Sequence, residues 1–180
     1  MSSMFNSFIE KKFLNEKKNF ENKISETFFL NYAKIKSVLL LFDIKNDKNI
    51  GIFEHLANIL EQDGKKVTLC AFVEQKKSML EDKNNRIIIK KEDVSLWQKP
   101  KKELLNKISE QNFDAIFLLS TQKTIAVLYA LMYANAKIRC GGIETFNLLN
   151  FIIDTSNTQF ADETCIFDNI VRYLKIINKN

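Results

Sequence analysis

Continuous apolar runs and periodic apolar stripes follow one another along this chain. From Ser37 to Phe42 the run SVLLLF shows no polar alternation, which marks a strand covered on both faces, as in a parallel sheet. Asp43 to Asn49 is polar and turns the chain. Ile50, Phe53, Leu56, Ala57 and Leu60 then recur at steps of three and four, the stripe of an amphipathic helix that ends at Gly64. Lys66 to Phe72 (KVTLCAF) is a second buried run, and its short links predict a parallel strand–helix–strand crossover.

The alternation continues downstream. Glu74 to Asn85 is charged and aperiodic, and is expected to be a mobile insertion. Arg86 to Lys90 (RIIIK) predicts a third strand. Trp97 lies in an irregular link, placed to plug the end of the sheet. Pro100 suits the first turn of a helix burying Leu104, Leu105 and Ile108. Then come a strand over Asp114 to Leu119, a helix over Gln122 to Asn135 and a strand over Lys137 to Cys140, closed by Gly141 and Gly142. Asn147 to Asp154 (NLLNFIID) reads as a further strand. A final helix from about Asp162 turns Phe167, Ile170, Val171, Leu174 and Ile177 inward, with Asp162 and Glu163 in its first turn and Lys175 and Lys179 in its last to complement its dipole.

Ahead of these elements, Met4 to Phe29 carries Phe5, Phe8, Ile9, Phe13, Phe20, Ile24 and Phe28 at steps of three, four and seven. This predicts an amphipathic helix, interrupted near Asn15 or Asn19. Its apolar face docks on the following domain or on a second copy of the chain. Its lysines Lys11, Lys12, Lys17, Lys18 and Lys23 also suit an anionic membrane surface, although Glu10, Glu16, Glu21 and Glu26 oppose that use.

Together the elements predict an α/β fold: a three-layer Rossmann-like sandwich of five or six mainly parallel strands over residues 35–180, with an N-terminal helical extension over residues 1–34. Right-handed crossovers and one reversal between the first and fourth strands give the order 3-2-1-4-5-6. A chain of 180 residues suffices for one such core, and only 4 Gly and 1 Pro suit a regular domain. The longest apolar run, Ile125 to Ala134, falls short of the ~18 residues of a membrane span. Glu10, Lys11 and Lys12 interrupt any leader-like segment, so a cytoplasmic protein is expected.

The formal charge of +5 narrows the partners only slightly. Arg86, Arg139 and Arg172 are the only guanidinium groups, so nucleic-acid binding would rest on lysines and would require them to gather on one face. Cys70, Cys140 and Cys165 are scattered, which excludes a disulfide framework and a zinc site. His55 is the single histidine and falls on the polar side of its helix. A Ser-His-Asp or Cys-His centre and a histidine metal site are therefore not expected. The turn after the first strand, FDIKNDKN, has neither GxGxxG nor a P-loop, and no cofactor is expected.

In open parallel sheets, ligands bind beyond the carboxyl ends of the strands where strand order reverses. Three turns are predicted to meet there. They carry Asp43, Lys45, Asn46 and Asp47; Ser120, Thr121, Gln122, Lys123 and Thr124; and Gly141 with Gly142. Ser120 and Thr121 either cap the following helix or cap it and cradle an anion, with Lys123 adding charge. The glycine pair allows close backbone approach to a ligand or a positive φ in a turn. Tyr129 and Tyr133 lie four residues apart on a helix apolar nearly all round, so that helix is expected to be covered on two sides, by the N-terminal helix or a second subunit.

The segments SVLLLFD (37–43), VSLWQKPK (94–101), FDAIFLLS (113–120), AKIRCGG (136–142) and the C-terminal YLKIINKN together resemble an uncharacterised domain family of Bacteroidota. The likeness covers nearly the whole chain and implies a fold without an activity. A more distant likeness is to the N-terminal half of heptosyltransferase-type (GT-B) glycosyltransferases, in a strand bordered by Asp, an Ala- and Leu-rich helix and a strand closing in Gly. The Gly-Asp and Pro pattern of those enzymes after the first strand is missing, as is their nucleotide-sugar domain. The leading expectation is a non-catalytic interaction or binding module that self-associates through its two surplus apolar helices. The alternatives are a small enzyme or sensor binding a phosphate-bearing or nucleotide-like ligand at the crevice, and a basic adaptor for RNA or an anionic membrane surface.

Overall fold

The computed structural model describes residues 2–20, 30–143, 146–154 and 162–177. Six strands, β1 (Ser37–Ile44), β2 (Lys66–Val73), β3 (Arg86–Lys90), β4 (Asn112–Leu118), β5 (Asn135–Gly141) and β6 (Phe151–Ile152), form one sheet ordered β3-β2-β1-β4-β5-β6. Every neighbouring pair is parallel. This is the topology and the α/β class that the apolar runs predict. Among the described residues five helices cover the sheet: α1 (Ser2–Lys17), α2 (Ile50–Gln62), α3 (Lys102–Ser109), α4 (Ile125–Tyr133) and α5 (Glu163–Ile176). Among the described residues no helix is long and apolar enough to cross a membrane.

Strand alternation divides the core in two. Leu39 and Leu41 of β1 face α1, α3 and α4, whereas Val38, Leu40 and Phe42 face α2 and α5. Phe42 stacks on Phe53 of α2 at 3.6 Å, and Phe117 of β4 meets Phe167 of α5 edge-on at 6.3 Å.

Helix α4, IAVLYALMY, is buried at every residue from Ile125 to Met132 and needs cover on the side away from the sheet. Helix α1 supplies it. Ile9 and Phe13 are buried, and Phe13 packs edge-on against Tyr129 at 5.0 Å and beside Phe146 at 5.8 Å. Phe20, in the single turn at Lys18–Phe20 that follows α1, meets Tyr133 at 4.8 Å. Glu16 accepts hydrogen bonds from Tyr133 Oη at 2.9 Å, from Tyr129 Oη at 3.4 Å and from Lys99 Nζ. Burial, reinforced by the Glu16 carboxylate, raises the pKa of both phenols. The two surfaces expected to be surplus thus cover each other. The helix predicted to reach Phe29 stops at Lys17, its change to a tighter turn falling at the predicted break near Asn19; Ile24 and Phe28 lie outside the described residues.

Other expectations are corrected. Residues 74–85 form no loose insertion, because Asp47 binds them: its carboxylate accepts from Ser78 Oγ at 2.7 Å and Met79 N at 2.8 Å, and Asp82 accepts from Ile88 N at 2.8 Å. Trp97 packs into the α1 side of the core, with Lys12 Nζ 4.6 Å above its ring, and does not plug the sheet's end. The strand expected over Asn147 to Asp154 shrinks to Phe151–Ile152. Asn150 Oδ1 accepts the Arg139 N–H at 2.7 Å, replacing the carbonyl that a longer strand would offer.

Arg139, which is buried, and Asp114, which is half-buried, tie the elements together. Arg139 is 2% exposed, and its guanidinium donates to the carbonyls of Leu131 at 2.9 Å and Ala134 at 2.8 Å, satisfying the otherwise unpaired C-terminal end of α4. Burial pushes its pKa down to about 10, so it stays charged at neutral pH. Arg139→Met removes both donors and is expected to lower unfolding free energy by about 2–4 kcal/mol in urea denaturation.

Also at the amino end of the strands, Asp114 accepts from Lys36 N at 2.9 Å, Ser37 N at 3.2 Å and Lys137 Nζ at 2.8 Å. Burial alone would raise its carboxyl, but Lys137 and the two backbone N–H groups outweigh this and hold it below the usual carboxylate range. A depressed folded-state pKa contributes stability that is present above the unfolded value of about 3.9 and lost as pH falls through the folded value. The stability gap between the wild type and Asp114→Asn should therefore be full above about pH 5 and narrow toward about pH 3, as read by denaturant titration at each pH.

Candidate functional site

The carboxyl ends of β1 and β4 part at the point where strand order reverses, and a cleft of about 200 Å³ opens there. Asp43 and Ile44 come from β1 and Lys45 from the turn that follows. Asn49, Ile52 and Phe53 come from the start of α2, Thr121 and Gln122 from the turn after β4, and Glu163 from the first turn of α5. All but Glu163 arrive by a short link from β1 or β4, strands buried on both faces, so most of the rim is built on rigid elements.

Asp43 is the best-defined polar group. Its neighbours Phe42 and Ile44 point toward α2 and α5, so its own side chain turns toward α4. There Oδ2 accepts from Thr124 Oγ1 at 3.3 Å, while Oδ1 has no hydrogen-bond partner among the described residues. Thr124 occupies the N-cap position of α4, but its hydroxyl makes no cap hydrogen bond and serves Asp43 instead. Asp162, by contrast, caps α5 by accepting from Cys165 N at 2.7 Å, which fixes Glu163 at the cleft.

The structure brings together four of the sequence-predicted residues, Asp43, Lys45, Thr121 and Gln122, at the cleft, and Ser120, Lys123, Gly141 and Gly142 do not line it. Ser120 does not open a helix: the ladder runs one residue past β4 through Leu119 N to Leu41 O, and α4 begins only at Ile125. Ser120 is 1% exposed, is not part of the cleft lining, and its Oγ has no hydrogen-bond partner among the described residues. Lys123 Nζ lies 4.9 Å above the Phe146 ring, and its side chain borders a separate cavity with Asn6, Ile9 and Glu10 of α1.

Neither glycine of the pair has a positive φ; among the glycines only Gly64 does, at 74°. The space over both is filled by the protein itself. A Cβ on Gly141 would stand 2.8 Å from Leu149 Cδ1 and 3.2 Å from Leu118 Cβ, and one on Gly142 would stand 3.0 Å from Ile166 Cγ1.

Glu163, Asn49 and Ile52 were not singled out from the sequence. Glu163 reads there as a dipole-complementing residue, and only the return of α5 to this end of the sheet puts it opposite Asp43. The cleft lining contains no Cys, His or Ser. Cys70 and Cys140 are buried in the core, where burial pushes both thiols up and keeps them protonated. His55 is exposed, as expected. Among the described residues no group of three or more His, Cys, Asp or Glu could hold a metal ion.

Residues 6–177 match a family of unknown function (DUF6913), and the chain belongs to it. This bears out the expectation of an uncharacterised domain family spanning nearly the whole sequence. No curated protein and no solved structure matches the chain. Because Gly141 is enclosed by Leu149 and the Leu118 backbone, Gly141→Ala is expected to cost about 1–3 kcal/mol through overpacking, measured as a lower denaturation midpoint.

Proposed function

We propose that this member of a family of unknown function is a binding module that seats one small polar ligand in the cleft between β1 and β4. The observation that carries this reading is the cleft itself, left open among the described residues at the reversal of strand order. Its size, about 200 Å³, is below the ~300–1,000 Å³ of sites for drug-sized ligands, so it suits a molecule the size of an amino acid rather than a dinucleotide. Ile52 and Phe53 offer an apolar wall, while Asn49, Thr121 and Gln122 offer hydrogen bonds.

Charge selects among such ligands. Asp43 and Glu163 face the cleft against Lys45 alone, and Lys123 borders another cavity. A phosphate would meet two carboxylates and one ammonium, so an amine-bearing or zwitterionic molecule fits better than a phosphate ester. The lining offers no nucleophile paired with a base, which favours binding over chemistry. Self-association has weaker support, since Ile9, Phe13 and Phe20 already lie against α4 and its tyrosines.

A thermal-shift screen of free amino acids, polyamines and sugar phosphates tests the reading. An amine-bearing compound at about a hundred times its Kd should stabilise the fold by about 2.7 kcal/mol. Asp43→Asn and Glu163→Gln should each remove the shift without lowering the ligand-free melting temperature. Stabilisation by a sugar phosphate that grows in those two variants would support the phosphate reading instead. No shift that depends on either residue would sink the cleft as a ligand site.

A further inference from the structure

The amino ends of the strands carry a second feature, on the edge opposite the cleft. The β1–β2 register sets Ser37 beside Lys66, whose N–H donates to the Lys36 carbonyl at 2.7 Å. Lys34, Lys36 and Lys66 are exposed, and none has an ion-pair partner among the described residues. Two nearby carboxylates are already paired, Asp114 with Lys137 at 2.8 Å and Asp63 with Lys175 at 3.5 Å together with the Tyr32 hydroxyl at 2.7 Å, whereas Glu110 opposes the lysine charge. Lys65 adds a further charge, its Nζ held by the carbonyls of Tyr32 at 2.8 Å and Ile35 at 3.0 Å. After burial, the proximity of Lys36 and Lys175 is among the effects that lower the Lys65 pKa.

A polar cavity of about 160 Å³ opens beside these lysines, lined by Ser37, Lys66, Thr68, Gln111, Asn112 and Phe113. Thr68 and Gln111 are engaged with each other and with the Lys107 carbonyl. The Asn112 amide and the Lys66 ammonium have no partner among the described residues, so a donor–acceptor amide and a free cation face one small cavity. Among the described residues, none of the exposed large apolar side chains lines it to provide the wedge that membrane insertion needs.

We infer that this amino-end rim binds single-stranded nucleic acid, the lysines contacting phosphates while Asn112 reads a base or sugar edge in the cavity. The site is independent of the cleft, so either can fail without the other. Fluorescence anisotropy with a short labelled oligouridylate, and with the matching DNA, tests it. Binding should saturate at low salt and weaken between about 50 and 200 mM KCl with a log–log slope of about −2, the value for three phosphate contacts on a single strand.

Lys34→Glu, Lys36→Glu and Lys66→Glu together should weaken binding tenfold or more. The matching glutamine set serves if the reversal variant melts early by circular dichroism. Glu110→Gln, which removes a carboxylate next to the cavity in sequence, should tighten binding. Lys48→Glu, Lys91→Glu and Lys102→Glu together change the net charge equally elsewhere and should have a much smaller effect. Absence of saturable binding at low salt, an equal loss in both triple variants, or capture by anionic vesicles or polyglutamate with no binding to the oligonucleotides would each overturn the assignment.

Discussion

Everything in this fold follows from a central strand that must be covered twice. Val38 to Phe42 of β1 have no solvent exposure, and their side chains alternate between two separate apolar clusters. A sheet built around such a strand needs a helical layer on each face, because its apolar side chains leave water in both directions. Helices α2 and α5 cover one face. On the other face α3 and α4 lie on the sheet, and α4 is itself apolar all round, so α1 forms an outer cover over it. The N-terminal helix is therefore part of the same hydrophobic solution as the sheet.

The same constraint separates stability from binding. Parallel strands flanked by antiparallel helices send polar turns to two opposite edges and leave the faces dry. At the carboxyl edge the turns diverge where strand order reverses, and Asp43, Thr121, Gln122 and Glu163 frame an opening. At the amino edge, Asp114 holds the starts of β1, β4 and β5 together through backbone and lysine donors. Arg139 closes the end of α4 from within. Substitutions in these two groups should act on folding, whereas those around the cleft should act on ligand affinity.

The sheet was legible because its strands are continuous apolar runs with short links, which leave few right-handed topologies. The order β3-β2-β1-β4-β5-β6 is one of those few, singled out by placing the reversal between the first and fourth strands. The candidate site was legible only in part. Asp43, Thr121 and Gln122 were recognisable from their places after apolar runs. Ser120 was misplaced because nothing local marks the extra ladder bond to Leu41 that buries it. The start of α4 was misplaced because the Thr124 hydroxyl serves a tertiary partner, Asp43, rather than its own helix. The role of Gly141 and Gly142 depends on Leu149 and Ile166, which approach from elsewhere in the chain. Glu163 reaches the cleft only through the return of the last helix.

The seat of α1 also has a consequence in time. The groups that hold Glu16, namely Lys99, Tyr129 and Tyr133, follow it by 83, 113 and 117 residues. At ribosomal speeds of roughly 5–20 residues per second, the last of them is made roughly 6–23 s after Glu16. A lone 16-residue segment is at best marginally helical in water. The α1 segment thus waits on the nascent chain as an unpaired, phenylalanine-rich stretch until its partners are made. A helix made well before its partners is thus among the later elements to settle into place.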